Sequence, residues 1–311
     1  MMFMEFKKIG DITIPVLGIG TWGMGGWLTR DTSADEQCIK AIRTAIELGM
    51  THIDTAELYG LGHAEELVGE AIKDFNRKRL FITTKVWMNH LKYDDVIKAA
   101  TCSLKRLGTD YIDLYLIHRP NPFIPLKETM KAMDFLVREN IIRYIGVSNF
   151  SVRQIKEAQL YTENKIVSNQ IKYNILERSP EKDMLNYCQK NDIILTAYEP
   201  LECGKLAKPG FKTLDELCEK YKKTQAQIII NWLISKPNVI TIPKSTTIRH
   251  IKENLGAIGW RLSKKDIEKL ETFFSYYCRR NSLGRIFGRA KKVVAQIIFD
   301  IKAEKNLSTL Y

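Results

Sequence analysis

The sequence lacks any apolar run long enough to span a bilayer, and its first residues carry neither an extended apolar core nor a cleavage site. These absences argue against a membrane-spanning protein and against a secreted one. The six cysteines are scattered and form no C-x-x-C pair. Thiols without metal-ligand or redox spacing are typical of a reducing compartment, so we expect a cytoplasmic protein with free cysteines and no bound metal.

The sequence also lacks the signatures of a nucleic-acid-binding protein, although its formal net charge is +12. It has no zinc-finger spacing and no aromatic ribonucleoprotein motif. Half of the surplus charge lies in residues 276–311, which contain eight Lys or Arg against two acids. The remaining charge suits an anionic small ligand equally well, so we expect no nucleic-acid partner.

What the sequence does have is a regular alternation of apolar, β-branched runs with amphipathic, helix-like segments. The strand-like runs are "PVLGIGT", "THIDTA", "LFITTKVW", "YIDLYLIH", "RYIGVSN", "VSNQIKYN", "IILTAYEP" and "VITIPKS". Near-continuous apolar strands separated by helices predict a parallel sheet covered on its outside. Eight strands are the number that closes a (β/α)₈ TIM barrel, and an open doubly wound sheet is the alternative.

Two segments lie outside this alternation. "FMEFKKIGDITIPV" predicts an N-terminal β-hairpin that turns at Gly10 and Asp11 and plugs one end of the barrel. We predict a barrel domain over residues 1–275 and a basic amphipathic C-terminal extension over residues 276–311. The apolar residues of this extension share one helical stripe, which comprises Ile286, Ala290, Val293, Val294, Ile297, Ile298 and Ile301. Such a stripe packs against its own domain or a second subunit, or lies on an anionic membrane surface.

Polar residues close most of the predicted strands. In a parallel barrel the C-terminal ends of the strands meet at one face, where active sites form. Asp54, Lys85 and His118 each end an apolar run, and Tyr59 follows in the loop after Asp54. A charged group at such a position is costly unless it is paired. We therefore expect these side chains to satisfy one another in one polar cluster at the barrel mouth.

The chain resembles the aldo-keto reductase family over nearly its whole length. The stretches that carry the resemblance are "GIGTWGMG", "HIDTAELYG", "EELVGEAI", "FITTKVW", "DLYLIHRP", "IGVSNFS", "NQIKYN", "AYEPL" and "IPKSTTIRHIKENLGAI". Nine stretches in the family's order are far more specific than any one of them. The resemblance implies a catalytic tetrad of Asp54, Tyr59, Lys85 and His118, and an enzyme that reduces carbonyls with a nicotinamide cofactor.

The chemistry of these four residues can be argued independently of the resemblance. Hydride transfer to a carbonyl builds negative charge on oxygen, and a proton donor must meet that charge. A free phenol has a pKa of about 10 and is a reluctant acid, but a nearby ammonium favours its ionised form. We expect Asp54 to orient Lys85, Lys85 to acidify Tyr59, and Tyr59 to protonate the substrate. His118 would orient the carbonyl as a neutral donor.

The resemblance also implies a cofactor site for NADP, with NAD as the alternative. Ser148, Asn149 and Gln170 would hold the nicotinamide carboxamide, and Tyr198 would stack on the ring. Lys244, Ser245 and Thr246 would hold the 2′-phosphate near a helix N-terminus. The remaining residues assigned to the cofactor are Thr21, Leu201, His250 and Asn254, the last of these reaching the adenine.

Three positions depart from what is common in the family. His250 stands where an arginine often clamps the 2′-phosphate, which weakens the preference for NADP. Glu199 follows Tyr198 near the expected pyrophosphate, and its carboxylate would repel phosphate unless it turns away or pairs with a base. Arg119 follows His118 where some relatives carry an aromatic residue. It either favours polar or anionic substrates or forms a salt bridge at the rim.

Trp22 and Trp87 match positions that line the substrate pocket in the family. We therefore expect an aldehyde or ketone substrate. The sequence allows the chain to form an oligomer but does not determine its oligomeric state. Two alternative functions remain. One is a cofactor-sensing regulatory or binding protein on the same barrel, and the other is a sugar dehydrogenase that works in the oxidative direction. The physiological substrate and the reaction direction are not determined by the sequence.

Overall fold

A computed structural model describes residues 4–281, 298–303 and 305–306 of the chain. Eight parallel strands follow one another in chain order within one sheet. They are β3 (Ile19–Gly20), β4 (His52–Asp54), β5 (Phe81–Val86), β6 (Ile112–Ile117), β7 (Ile142–Ser148), β8 (Ile166–Lys172), β9 (Ile194–Tyr198) and β10 (Val239–Thr241). Parallel bridges from Leu17 to Thr241 and from Gly20 to Lys244 join the first of these strands to the last. The prediction of a (β/α)₈ barrel is confirmed.

Helices connect the strands and cover the outside of the sheet. They are α1 (Asp35–Glu47), α2 (His63–Ile72), α3 (Tyr93–Leu107), α4 (Leu126–Arg138), α5 (Val152–Gln159), α6 (Met184–Lys190), α7 (Lys212–Tyr221), α8 (Gln225–Ile234), α9 (Ile248–Leu255) and α10 (Lys264–Arg280). Helices α5 and α8 begin at capping boxes, in which Ser151 and Thr224 each exchange hydrogen bonds with a glutamine three residues later.

The barrel closes at β3, which lies between β4 and β10. A Cβ atom at Gly20 would lie 2.7 Å from the Ile242 carbonyl oxygen, so only glycine fits there. Residues 18–23 have the spacing G-x-G-x-x-G, which in an open sheet leads directly into a nucleotide-binding helix. Here turns follow β3, and α1 begins only at Asp35. The spacing therefore serves close strand packing in a barrel rather than a doubly wound sheet.

The predicted N-terminal hairpin is present as β1 (Phe6–Ile9) and β2 (Ile12–Pro15), with Gly10 in the turn at φ 56°. Ile12 and Ile14 are buried in one apolar cluster with Leu114 and Ile240, which belong to barrel strands. The hairpin therefore closes one end of the barrel with side chains, as the sequence predicts. The opposite end, where the strands terminate, is left for the polar residues.

The C-terminal extension is described only in part. Helix α10 continues through residues 275 and 276, and the division of the chain there stays a prediction. Of the predicted apolar stripe, Ile286, Ala290, Val293, Val294 and Ile297 lie outside the described residues. Ile298 and Ile301 are exposed, whereas Ala303 is fully buried against the barrel. Where the extension is described, it packs against its own domain through Phe299 and Ala303, which lie outside the predicted stripe. Within the described part of the chain, no helix combines the length and apolarity needed to cross a bilayer.

Candidate active site

The centre of the site is the ammonium group of Lys85, which is completely buried at the end of β5. Its Nζ atom donates to Asp54 Oδ1 at 2.7 Å, to the Thr55 carbonyl oxygen at 2.7 Å and to the Tyr59 hydroxyl at 3.1 Å. An ammonium group has three donors, and all three are used. Burial opposes the charged form, but the Asp54 and Tyr59 partners outweigh it and raise the pKa of Lys85 above its ordinary value.

The carboxylate of Asp54 is held from two sides. Its Oδ1 atom faces Lys85, and its Oδ2 atom accepts a hydrogen bond of 2.6 Å from Gln170 Nε2. The Thr21 hydroxyl donates to the Asp54 carbonyl oxygen at 3.1 Å and fixes the backbone. Gln170, which the resemblance assigns to the cofactor, therefore also has a partner inside the tetrad. This bond joins β8 to β4 across the barrel, and no local pattern in the sequence indicates it.

The phenol of Tyr59 is 6% exposed. Burial raises its pKa above the ordinary value of 10.0, while the charge of Lys85 lowers it and that of Asp54 raises it. Lys85 therefore acts in the expected direction, but desolvation is the larger effect. The net pKa of Tyr59 therefore lies above that of a free phenol, although Lys85 favours ionisation as the sequence predicts. The Lys85 ammonium lies where it could serve as the counter-charge of a Tyr59 phenolate.

The imidazole of His118 completes the tetrad. Its ring lies edge-on to Tyr59, with centroids 5.7 Å apart, and edge-on to Trp87 at 5.1 Å. Burial, followed by the charges of Lys85 and Arg119, holds the pKa of His118 well below its ordinary value of 6.5. His118 is therefore neutral, as expected. Its Nδ1 atom has no hydrogen-bond partner among the described residues.

Aromatic side chains enclose the Tyr59 hydroxyl. The ring of Trp22 lies 4.7 Å from that of Tyr59 and 4.9 Å from that of Trp27, which the sequence analysis missed. Trp87 is 1% exposed, and its indole Nε1 has no partner in the described part of the chain. A buried N–H without a partner is costly, so its presence at the mouth marks a place for a ligand atom.

The C-terminal extension covers this site. Phe299 lies 5.7 Å from Trp22, and Ala303 is buried in one cluster with Tyr59 and Trp87. Asn306 Nδ2 donates to the Leu28 carbonyl oxygen at 2.7 Å. Packing of the extension on its own domain is one of the alternatives that the sequence indicates, but the apolar stripe does not include these residues. Only the distribution of apolar residues was available, and it indicates a different face of the helix.

The residues assigned to the nicotinamide form one connected chain of hydrogen bonds. Tyr198 Oη donates to Asn149 Oδ1 at 2.9 Å, and Asn149 Nδ2 donates to Ser148 Oγ at 3.0 Å. Ser148 Oγ donates in turn to the Gln170 carbonyl oxygen at 2.9 Å. Through Gln170 this chain reaches Asp54, so the two predicted groups lie together at the strand ends. Leu201 lies in the loop after β9, partly buried against the core.

Glu199 and Glu202 in the loop after β9 both bind Lys172. The salt bridge to Glu202 measures 2.8 Å, and Glu199 forms a shorter one. Asn174 Nδ2 donates to the Glu199 carbonyl oxygen at 2.8 Å and holds the loop. The condition set by the sequence is met, because the carboxylate of Glu199 pairs with a base.

The residues assigned to the 2′-phosphate surround the N-terminus of α9. Lys244 and His250 are exposed, and Thr246 is partly exposed. Ser245 is 4% exposed, and its hydroxyl donates to the Thr247 carbonyl oxygen at 3.0 Å. Asn254 is buried within the helix. The bridge between Gly20 and Lys244 places this group next to the strand that carries Thr21 and Trp22.

Buried Glu57 was also missed by the sequence analysis. Its Oε1 atom accepts a hydrogen bond from the Trp87 backbone N–H, and His90 Nδ1 lies 3.0 Å from the same oxygen. Glu57 therefore ties the Tyr59 loop to the loop after β5. Its position in "DTAELYG" between two tetrad residues was the available signal.

Comparison with known proteins gives one consistent family. A model described as the aldo/keto reductase family matches residues 16–274. Methylglyoxal reductase YeaE of Escherichia coli (strain K12) is 37% identical over 266 residues, which cover 84% of this chain and 92% of the relative. The thermostable aldo-keto reductase Tm1743, solved with the inhibitor epalrestat, is 49% identical with a TM-score of 0.84, covering 87% of this chain and 100% of that one. An aldo/keto reductase from Klebsiella pneumoniae, solved with NADP and acetate, is 35% identical with a TM-score of 0.79, covering 86% and 93%.

The neutral state of His118 predicts a pH-dependent loss of stability. Below about pH 6.5 the unfolded chain takes up a proton that the folded chain does not, so acid destabilises the fold. From about pH 7.5 to about pH 5, the parent chain should lose more free energy of unfolding than His118→Gln, by at most about 2 kcal/mol, a limit set by the histidine pKa of about 6.5 in the unfolded chain. Urea unfolding of both proteins at both pH values measures the difference. Buried His52, whose pKa burial lowers to about 3, contributes equally to both proteins. Equal losses would mean that His118 takes up a proton in the folded chain as readily as in the unfolded chain.

Proposed function

The chain belongs to the aldo/keto reductase family and is an oxidoreductase of carbonyl compounds. We propose that it reduces aldehydes or ketones with NADPH and that Tyr59 is the general acid. The observation that carries the proposal is the buried Lys85 ammonium, which binds both the Asp54 carboxylate and the Tyr59 hydroxyl. A buried ion pair that ends on a phenol is costly to build for structural reasons alone.

The proposed reaction uses the side chains as follows. When bound, a reduced nicotinamide cofactor would supply the hydride that the carbonyl carbon accepts. The developing alkoxide is a much stronger base than a phenolate, so it takes the Tyr59 proton even though burial raises the pKa of that phenol. Lys85 stabilises the phenolate, and Asp54 holds Lys85 in place. Neutral His118 and the unpaired Trp87 indole N–H are available to hydrogen-bond the substrate.

The described residues fit the proposed cofactor. The amide and hydroxyl groups of Ser148, Asn149 and Gln170 supply both donors and acceptors for a carboxamide. The side-chain Nε2 of Gln170 donates to Asp54, so the side-chain amide oxygen of Gln170 would accept a hydrogen bond from the ligand. Tyr198 is held by Asn149 and offers its ring for stacking. Because Lys172 binds Glu199, that carboxylate does not stand free beside a pyrophosphate.

The relative from Klebsiella pneumoniae is in complex with NADP, and we extend that cofactor to this chain. Exposed Lys244, Arg249 and His250 surround the N-terminus of α9, where an anion is favoured. His250 would bind the 2′-phosphate more weakly than an arginine would, so NAD is the alternative cofactor. A short carbonyl is the proposed substrate, because methylglyoxal is reduced by a named relative. A cytoplasmic location remains our prediction.

The complete tetrad favours an enzyme over a cofactor-sensing regulator, because a regulator needs a nucleotide site but no proton donor. A sugar dehydrogenase would use the same four residues in reverse. Turnover of an aldehyde panel distinguishes the regulator, and the rates in the two directions distinguish the dehydrogenase.

Replacing the proposed acid gives the sharpest test of the reaction. Tyr59→Phe should bind NADPH as the parent chain does, measured by quenching of tryptophan fluorescence, and should lose at least about a hundredfold in the rate of aldehyde reduction. The matched control is Tyr144→Phe, whose ring stacks on Phe81 away from the tetrad. If Tyr59→Phe reduces aldehydes at the parent rate, Tyr59 is not the acid.

The proposed phosphate site predicts a difference between the two cofactors. Lys244→Met should raise the Kd for NADPH by about tenfold, the effect of losing one charge-assisted hydrogen bond, and should change the Kd for NADH little. Lys8→Met, which removes an exposed charge from the hairpin, serves as the control. An equal loss for both cofactors would show that Lys244 does not recognise the 2′-phosphate.

A further inference from the structure

The loop after β6 places an arginine at the barrel mouth in a fixed backbone conformation. Arg119 directly follows His118 and precedes Pro120, which restricts it to an extended conformation. Asn149 Nδ2 donates to the His118 carbonyl oxygen at 3.1 Å, and Asn121 Nδ2 donates to the Met88 carbonyl oxygen at 2.8 Å. The loop is thus tied on both sides of Arg119 to neighbouring strand ends.

The carboxylates around the mouth are already engaged by other groups. Asp54 is bound by Lys85 and Gln170, Glu57 by the Trp87 backbone and His90, and Lys172 binds both acids of the loop after β9. Arg119 itself forms no hydrogen bond or salt bridge with any residue in the described ranges. The structure therefore gives no support to the sequence-based alternative of a salt bridge at the rim.

The charge of Arg119 acts on the catalytic groups. It lowers the pKa of Tyr59 and of Tyr198, in each case against a larger rise caused by burial. It also adds to the lowering of the pKa of His118 that burial begins. Arg119 is partly buried, has no hydrogen-bond or salt-bridge partner among the described residues, and directly follows His118, whose ring lies 5.7 Å from that of Tyr59. An arginine in this position is arranged to meet an anion that arrives with the substrate.

We propose that Arg119 binds a carboxylate carried by the substrate, so that the preferred substrates are aldehydes or ketones that bear an acid group. A guanidinium offers a planar fork that pairs with a carboxylate through two parallel hydrogen bonds. The inference rests on the proposed function and names its substrate class. Hydride adds to the carbonyl carbon and the Tyr59 proton to its oxygen. The carboxylate stays unchanged, and the product is a hydroxy acid.

A pair of probes that differ in charge and by one methyl group tests this assignment with the full chain and NADPH. The probes are 4-carboxybenzaldehyde and its methyl ester. The parent chain should prefer the acid, and the ratio of kcat/KM for acid over ester should fall about tenfold in Arg119→Gln. Arg119→Lys should retain part of the preference, because it keeps the charge and loses the fork. Arg79→Gln, which removes an exposed charge just before β5, should keep the parent ratio.

Three results would overturn the assignment. The first is a parent ratio that does not favour the acid, and the second is an unchanged ratio in Arg119→Gln. The third is a rise in the Kd for NADPH in Arg119→Gln that accounts for the whole loss, because Arg119 would then serve the cofactor.

Calorimetric binding of the two probes to the complex with oxidised cofactor separates this inference from the proposed function. This measurement needs no turnover. If neither probe is reduced but the acid binds more tightly than the ester through Arg119, the reductase proposal fails and the anion site stands. If the acid and the ester bind equally well, the proposed carboxylate site at Arg119 is ruled out, independently of the rates at which the probes are reduced.

Discussion

The site depends on one interaction, the insertion of the Lys85 ammonium between a carboxylate and a phenol in a fully buried position. Three donors meet three acceptors, so the buried charge is satisfied, and the loss of any partner would leave a charge or a polar group unpaired. This constraint fixes the relative positions of β4, β5 and the Tyr59 loop. The bond from Gln170 to Asp54 extends the constraint across the barrel to β8. The proposed acid and the proposed nicotinamide site therefore share one rigid framework, which proton and hydride transfer to the same carbonyl requires.

Burial acts on the site in two opposite ways. It raises the pKa of Tyr59 and lowers that of His118, which sets one as a protonated donor and the other as a neutral imidazole. It also strengthens the influence of Lys85, because charges interact more strongly where water is excluded. The aromatic walls and the C-terminal segment at Phe299 and Ala303 produce that exclusion. The extension is thus part of the electrostatic environment of the tetrad.

The sequence predicts the barrel well because the strands are near-continuous apolar runs and amphipathic, helix-like segments separate them. It also predicts the tetrad, since Asp54, Lys85 and His118 stand at the ends of such runs. The partner of Gln170 could not be predicted, because that bond joins residues 116 positions apart through side chains. The net pKa of Tyr59 depends on desolvation, which a sequence does not contain. The contact of Ala303 with the barrel could not be predicted, because the apolar pattern of the extension indicates a stripe to which Ala303 does not belong. For Arg119 the sequence left two alternatives, and the structure contains no salt bridge from it to a described residue.

The central claim is that Lys85 contributes to the chemistry through Tyr59. The most direct test is a double-mutant cycle with Lys85→Met and Tyr59→Phe, measured as single-turnover hydride transfer in variants that fold and bind NADPH as the parent chain does. If Lys85 acts on the phenol, the double variant will be about as slow as Tyr59→Phe alone, because the second change removes a partner that no longer has a role. If the two losses multiply, Lys85 acts independently of Tyr59, and the account of the site is contradicted.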